Sequence, residues 1–260
     1  MKQAKRRIFA YHYAPGKKLF NVVVTLKDVP GALSSVLELL SDRVNLIGSV
    51  SYATGDGSAI WSGFAQSLSQ RESTANLKRL LGRSKMVKES WVGQGQQGFL
   101  VDSFHTGIDI DSESFMLSPR KGTSQMFEML VKTFGTGGET ILFNEGVEMG
   151  RFTAEYFRKI LGPELAKKNP SKYGSVFGAE GWGAGTLLKS RTDGKVRIRV
   201  AECFECSTKS DVRTTCTFRR GHIQGFTSTI LERPMTSVET TCRFRGGPYC
   251  QFELSDARPK

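Results

Sequence analysis

Between residues 19 and 92 the spacing of apolar positions changes period in a regular order. "LFNVVVTL" (19–26) is apolar and β-branched almost throughout, the pattern of a buried strand. In "PGALSSVLELLSDR" the apolar residues fall at 33, 36, 37, 39 and 40, one face of a helix that Pro30 opens. "VNLIGSVSYA" and "SAIWSGFAQSL" read as two strands joined by a turn at Thr54-Gly55-Asp56-Gly57. "STANLKRLLG" begins on a Ser/Thr cap and stops at Gly82, and "KMVKESWV" closes the unit as a strand. The order strand, helix, strand, strand, helix, strand predicts a split ferredoxin-like arrangement, one antiparallel sheet with both helices on one face. The opposite face then needs a partner.

After residue 92 the pattern lapses and returns. "GQGQQG" (93–98) has no apolar period and reads as the start of a linker running to 110, with "LVDSFHTGIDIDSESFML" ambiguous. "TSQMFEMLVKTF" is an amphipathic helix, "ETILFNEG" a short strand or turn, and "GVEMGRFTAEYFRKILG" a second helix. A glycine-rich stretch, "YGSVFGAEGWGAGTLL", precedes the strand "KVRIRVAECFEC". "CTFRRGHIQGFTSTILER" reads as helical despite Gly221 and Gly225, and "MTSVETTCRFRG" with "YCQFEL" forms a terminal hairpin about Gly246-Gly247-Pro248. The fold class expected is α+β: an extension at 1–18, a ferredoxin-like βαββαβ domain at 19–92, a linker at 93–110, and at 111–256 a mixed domain with helices packed on an antiparallel sheet.

Composition adds limits. The 260 residues suffice for two cores, and 38% hydrophobic with 24% charged residues is globular rather than disordered or fibrous. No apolar run approaches the ~20 residues of a membrane span, and the run after the basic head ends by Pro15, too short for a secretory signal. A cytoplasmic protein is expected. The formal charge of +12 favours anionic partners. Its basic residues are scattered, however, with no stripe, no interleaved aromatics and no helix-turn-helix, so a solvated surface accounts for them and nucleic-acid binding lacks a motif.

The chemistry concentrates at the C-terminus. In a reducing compartment clustered thiols serve as ligands or core residues more often than as disulfides. Glu239-x-x-Cys242 and Cys250, across a hairpin, bring one oxygen and two sulfurs together, and Cys216, 23 residues before Glu239, offers a fourth donor. Zinc takes four such ligands, in a closed tetrahedron when its role is structural. Three thiolates and a carboxylate leave the ion with a local charge of about −2, which Arg219, Arg220, Arg243 and Arg245 stand close enough in sequence to offset. Cysteine is also a common core residue, so a metal-free core is the alternative. Cys203 and Cys206 lie three apart in an expected strand and point to opposite faces, which makes them core thiols unless a turn intervenes.

"CTFRRGHIQGF" followed by "ETTCRFRGGPYCQF" resembles the 4-vinyl-reductase-type domain, found in aromatic-sensing bacterial activators, in proteins linked to bacteriochlorophyll synthesis and in archaeal proteins of predicted hydrocarbon-binding type. The resemblance covers roughly residues 111 to 256. It implies a structural Zn²⁺ on Cys216, Glu239, Cys242 and Cys250, whose order and spacing match the zinc-containing sensors, and a bound small hydrophobic or aromatic molecule. Phe152, Tyr156, Phe157, Phe177, Trp182 and Phe226 are the candidate apolar lining, with "GAEGWGAG" a flexible segment over it; the same rings also suit a core. In those sensors a His and a Trp hold the ligand's hydroxyl, a pair that the sequence does not place here. His222 lies within the last helix, where a lone histidine is more often structural.

"LKDVPGALSSVLELLSDRVNLIGSVSY" resembles the ACT domain, whose first strand enters an Asp-x-Pro-Gly-x-Leu turn and whose helix is followed by an Asn; Asp28, Pro30, Gly31, Leu33 and Asn45 match. That resemblance implies a homodimer and, at Asp28, Val29, Pro30, Gly31, Ala32 and Leu33, backbone N–H groups at a helix N-terminus that suit an amino acid's carboxylate. The function expected is a ligand-binding regulatory protein with no catalytic residues assigned. The alternatives are a 4-vinyl-reductase-like or tetrapyrrole-handling enzyme, for which no nucleotide fingerprint is present, and a DNA-binding transcriptional regulator.

Overall fold

The buried run predicted at 19–26 becomes β2 (Leu19–Lys27), the central strand of the N-terminal unit. The computed structural model describes residues 7–110, 113–168, 170–189, 196–208, 211–213 and 215–257; the basic residues before Arg7, the domain start at 111 and Lys195 of the expected strand lie outside them. The chain divides into two units, one ending at Met116 and the other beginning at Leu117. Among the described residues no helix is long and apolar enough to cross a membrane.

In the first unit β1 (Tyr11–Tyr13) precedes β2, and α1 (Ala32–Ser41), β3 (Val44–Ala53), β4 (Ser58–Ser67), α2 (Thr74–Leu81) and β5 (Val87–Gln94) follow it. The sheet order is β3-β4-β2-β5, antiparallel throughout, as a ferredoxin-like unit requires. Alternate residues of β2, Phe20, Val22, Val24 and Leu26, pack with Val36 and Leu40 of α1, Leu77 and Leu81 of α2, and Trp61. Gly31 precedes α1 at φ 85°, a left-handed turn open to glycine at little cost. Ser73 caps α2 by accepting the Asn76 N–H at 3.2 Å.

The far sheet face is covered in part by the chain itself. Beyond β5, β6 (Phe99–Val101) pairs antiparallel with β1, and β7 (Ile108–Ile110) with β8 (Glu113–Phe115). Leu19, Phe64 and Leu100 form a second cluster there with Phe9, Ala14 and Ile47 against it. Any side chain at Gly48 would strike the Phe9 ring. Asp102 accepts from Asn21 Nδ2 at 3.0 Å and from the backbone N–H groups of Phe104 and His105, each at 3.1 Å. The stretches expected as extension and linker thus contain strands. Each is three residues long, too short to give a period.

In the second unit α3 (Arg120–Phe134), α4 (Thr136–Leu161), α5 (Pro163–Lys168) and α6 (Pro170–Ala179) precede β9 (Ala184–Lys189) and β10 (Val196–Ala201). A 3₁₀ turn (Phe204–Cys206), α7 (Thr217–Leu231), β11 (Met235–Thr241), a second 3₁₀ turn (Arg243–Arg245) and β12 (Cys250–Asp256) complete it. The antiparallel sheet runs β11-β12-β10-β9. Two expectations fail. "ETILFNEG" is not a strand or turn but the interior of α4, and the glycine-rich stretch after Tyr173 is largely α6 and β9.

The cause is a glycine-lined contact between α4 and α7. Gly138, Leu142, Gly146, Gly150 and Ala154 recur every four residues along the buried face of α4. A Cβ at Gly146 would fall on the Phe218 carbonyl, one at Gly150 on that of His222, one at Gly221 on that of Phe143 and one at Gly225 on that of Val147. The two helices therefore meet backbone to backbone, and glycines that look like helix breakers are what lets them approach. Gly150→Ala or Gly225→Ala is expected to destabilise the protein by about 1–3 kcal/mol or more through overpacking. Gly122→Ala in α3, where the nearest atom is 3.9 Å away, should be neutral or gain up to about 1 kcal/mol of helix propensity. Thermal or urea unfolding of the three variants measures the contrast.

Candidate metal centre and aromatic cluster

Four elements converge on Cys216. That residue is the N-cap of α7; Glu239 lies in β11, Cys242 just beyond its end, and Cys250 opens β12. The register that sets Glu239 opposite Phe252 breaks before Thr241, which pairs with Gln251, and this irregularity carries the chain round to Cys242. One donor atom from each of Cys216, Glu239, Cys242 and Cys250 lies within 4.8 Å of the others. Sulfurs at 2.3 Å from a tetrahedral zinc are about 3.8 Å apart. The Cys216–Cys242 and Cys216–Cys250 separations are 3.8 and 3.5 Å.

The carboxylate completes the fit. Glu239 Oε2 accepts the Cys216 N–H at 3.0 Å, whereas Oε1 is buried with no partner among the described residues. A buried oxygen without a donor is costly, and a cation satisfies it. Burial pushes the Glu239 carboxyl up to about 8, while the Cys216 N–H pulls the other way. Hydrogen bonds among the sulfurs lower Cys203 and Cys242 and raise Cys206, Cys216 and Cys250, so the thiols titrate as a group. The donor set suits Zn²⁺.

Cys203 and Cys206 depart from expectation. β10 ends at Ala201, Glu202 takes a left-handed φ of 50°, and the 3₁₀ turn follows. Both thiols are thereby swung toward the same sulfurs: Cys203 lies 3.9 Å from Cys216, and Cys206 lies 3.0 Å from Cys216 and 3.6 Å from Cys250. They are not separate core thiols on opposite faces of a strand. The C-x-x-C spacing was the available signal; the turn at Glu202 was not legible.

Beneath the cluster sits a charged network that the sequence did not suggest. Glu205 is fully buried, accepts the N–H groups of Phe218 and Arg219 at 3.2 and 2.8 Å, and pairs with Arg213. It fills the positive end of α7. Burial raises its carboxyl to about 7 against the pull of Arg213. Of the four arginines expected to offset the sulfurs, Arg219 is buried, whereas Arg243 and Arg245 are exposed and Arg220 turns over the Phe143 ring. Burial lowers the Arg219 pKa, and Cys203, Glu205 and Cys216 raise it.

The aromatic side chains gather beside this network. Phe157, Phe177 and Phe226 are buried with Tyr173, Trp182 packs against them, and the Tyr156 ring is 5.9 Å from that of Phe157. Phe152 is 49% exposed and stands outside, because it lies on the solvent side of α4. Trp182 stacks on His222 with centroids 5.6 Å apart and planes at 25°. His222 is 1% exposed, and its Nδ1 has no partner among the described residues. Burial, reinforced by Arg219, drives its pKa well down and leaves a neutral imidazole. The rings fill the space against one another. The "GAEGWGAG" segment is not a loose flap: it ends α6, turns at Trp182 and enters β9.

In the N-terminal unit the turn at Asp28–Leu33 uses much of its own backbone. The Asp28, Val29 and Ala32 N–H groups donate to Gly57, Lys27 and Val29 carbonyls at 3.1, 3.0 and 3.2 Å. Two shallow grooves, of about 420 and 350 Å³, lie against α1, and neither is lined by residues 28–33.

Residues 196–256 match the model of the 4-vinyl-reductase-type domain, so the C-terminal unit carries that domain. A 100-residue stretch, 38% of this chain, is 27% identical to protein MJ1642 of Methanocaldococcus jannaschii and spans 60% of that relative's length. Among solved structures, the phenol-responsive sensory domain of the transcription activator PoxR, bound to phenol, is similar with a TM-score of 0.44 and 14% identity over 88% of this chain and 92% of that one. A vinyl-4-reductase family protein of Methanocaldococcus jannaschii gives a TM-score of 0.38 and 18% identity over 55% of this chain and 85% of that one.

Glu180, at the end of α6, generates a pH prediction. Burial raises its carboxyl from 4.5 to about 7, with Arg219 opposing. A raised carboxyl favours the protonated folded state, so its contribution is present below the unfolded pKa and lost as pH rises through about 7. Glu180→Gln is expected to flatten the fall in stability over that window by on the order of 1 kcal/mol, discounted for partial exposure. Urea unfolding midpoints from pH 4.5 to 7.5 measure it.

Proposed function

We propose that this protein is a ligand-binding regulatory protein. In it a structural Zn²⁺ on Cys216, Glu239, Cys242 and Cys250 fixes the C-terminal hairpin to α7, and the adjoining aromatic cluster takes up a small hydrophobic or aromatic molecule. The carrying observation is the buried, unpartnered Glu239 Oε1 among three thiols on the helix that also bears the neutral, unpartnered His222. Cys216 begins α7, and His222 and Phe226 follow on the same rigid element. A guest that parts Trp182 from His222 and offers a hydroxyl to Nδ1 would shift α7 against a metal-anchored hairpin. Such a difference in affinity between two arrangements is what regulation requires.

The ferredoxin-like half, with its ACT-type turn, serves in this proposal for homodimerisation or for holding an amino acid effector. A cytoplasmic setting suits the five free cysteines.

Elemental analysis of the purified protein should find zinc. Cys242→Ser should release it and lower stability by about 3 kcal/mol or more; a variant that retains both metal and stability would remove Cys242 from the ligand set. Native mass spectrometry of protein taken from its host should show a bound apolar compound. A tetrapyrrole in its place would favour the enzymatic alternative, and a chain with an empty aromatic cluster under every growth condition would overturn the sensing role.

A further inference from the structure

The five cysteines form two tetrads rather than one. Besides the set with Glu239, the sulfurs of Cys203, Cys206, Cys216 and Cys250 also lie within 4.8 Å of one another. The two sets share a single edge, Cys216–Cys250, 3.5 Å long. Within the second, Cys203–Cys216 and Cys206–Cys250 are 3.9 and 3.6 Å, close to the ~3.8 Å edge of a zinc–thiolate tetrahedron. Cys206–Cys216, at 3.0 Å, is closer than two sulfurs rest without a shared proton or cation.

We propose that the second tetrad is a second cation position. In this arrangement two thiophilic divalent ions, zinc or cadmium, occupy edge-sharing tetrahedra bridged by the Cys216 and Cys250 thiolates. Cys203 and Cys206 close one tetrahedron, and Glu239 and Cys242 close the other. The inference rests on the first tetrad being a metal site.

Electrostatics permits the pair. Adding one divalent ion together with two thiolates leaves the formal charge of the site unchanged, so the second ion needs no further compensating cation. Arg219 is buried beside the cluster, and its Nε and Nη1 have no hydrogen-bond partner among the described residues. An all-sulfur tetrad selects soft ions and rejects magnesium and calcium. Cys206 is the one cysteine of the five that is not fully buried. The second position therefore opens to solvent through it, and its ion should bind more weakly and exchange faster than the one held by Glu239. Occupancy would tie the 3₁₀ turn after β10 to α7 and the hairpin.

The test counts ions on the full chain. Protein stripped with a chelator under reducing conditions is reloaded with a slight excess of Zn²⁺ or Cd²⁺, desalted and weighed by native mass spectrometry. Wild type should carry two ions per chain, and Cys206→Ser one, with the second wild-type ion lost first on back-titration with chelator. Because the wild-type count needs no variant, a folding failure of Cys206→Ser leaves the test intact. One ion in wild type overturns the second position while leaving the first; none overturns both. Two ions in a folded Cys206→Ser would also overturn it, since the second ion would then be held elsewhere.

Discussion

Cys216 bears on more of the C-terminal unit than any other residue. Its backbone N–H holds the Glu239 carboxylate, its sulfur lies within 4 Å of those of Cys203, Cys206, Cys242 and Cys250, and its position as N-cap starts α7. Three segments far apart in sequence, the turn after β10, the head of α7 and the terminal hairpin, are thus pinned at one atom. Five thiols and a carboxylate packed this closely form a poor apolar core, because sulfurs in contact and an orphaned oxygen gain little from burial. The arrangement makes physical sense when a cation supplies the missing charge.

The glycine contact of α4 with α7 sets the other side of the same helix. With no Cβ at Gly146, Gly150, Gly221 and Gly225, the helices close to backbone distance, and His222 is held between that contact and the Trp182 ring. Neither the ring stacking nor the burial of His222 would survive a wider separation. The metal anchors the start of α7, and the glycines fix its lateral position. What remains deformable is the aromatic packing between α6 and α7, where Trp182 is only partly buried.

Much of the fold was legible where periodic segments were long. The strand of period two and the helices of period 3.6 between residues 19 and 92 gave the element order and, with the turn residues, the sheet. The Cys216, Glu239, Cys242 and Cys250 set was legible as residue types and spacing, and the structure brings those four together. The failures share a physical origin in contacts made between distant segments. Gly138, Gly146 and Gly150 look like breaks in a helix until α7 is laid across them; their four-residue recurrence was the signal. Cys203 and Cys206 looked like opposite faces of a strand because the positive φ of Glu202 leaves no mark in the sequence. Glu205 and Arg213 were passed over because charged residues default to the surface, and only the buried head of α7 draws this pair inside.

Arg219 connects the two halves of the site. Its guanidinium lies over Phe177 at 5.0 Å and is acted on by Cys203, Cys216, Glu205 and Glu180 together. On one side it offsets the charge of the thiolates, and on the other it helps to hold His222 neutral. A neutral imidazole can donate from one ring nitrogen and accept at the other, whereas the imidazolium can only donate. The charge state that lets the sulfurs take a metal is therefore also the one that leaves His222 able to meet a hydroxyl as donor or acceptor. A cation lost from the thiols would change the field on Arg219, and Arg219 would pass that change on to the ring beneath Trp182.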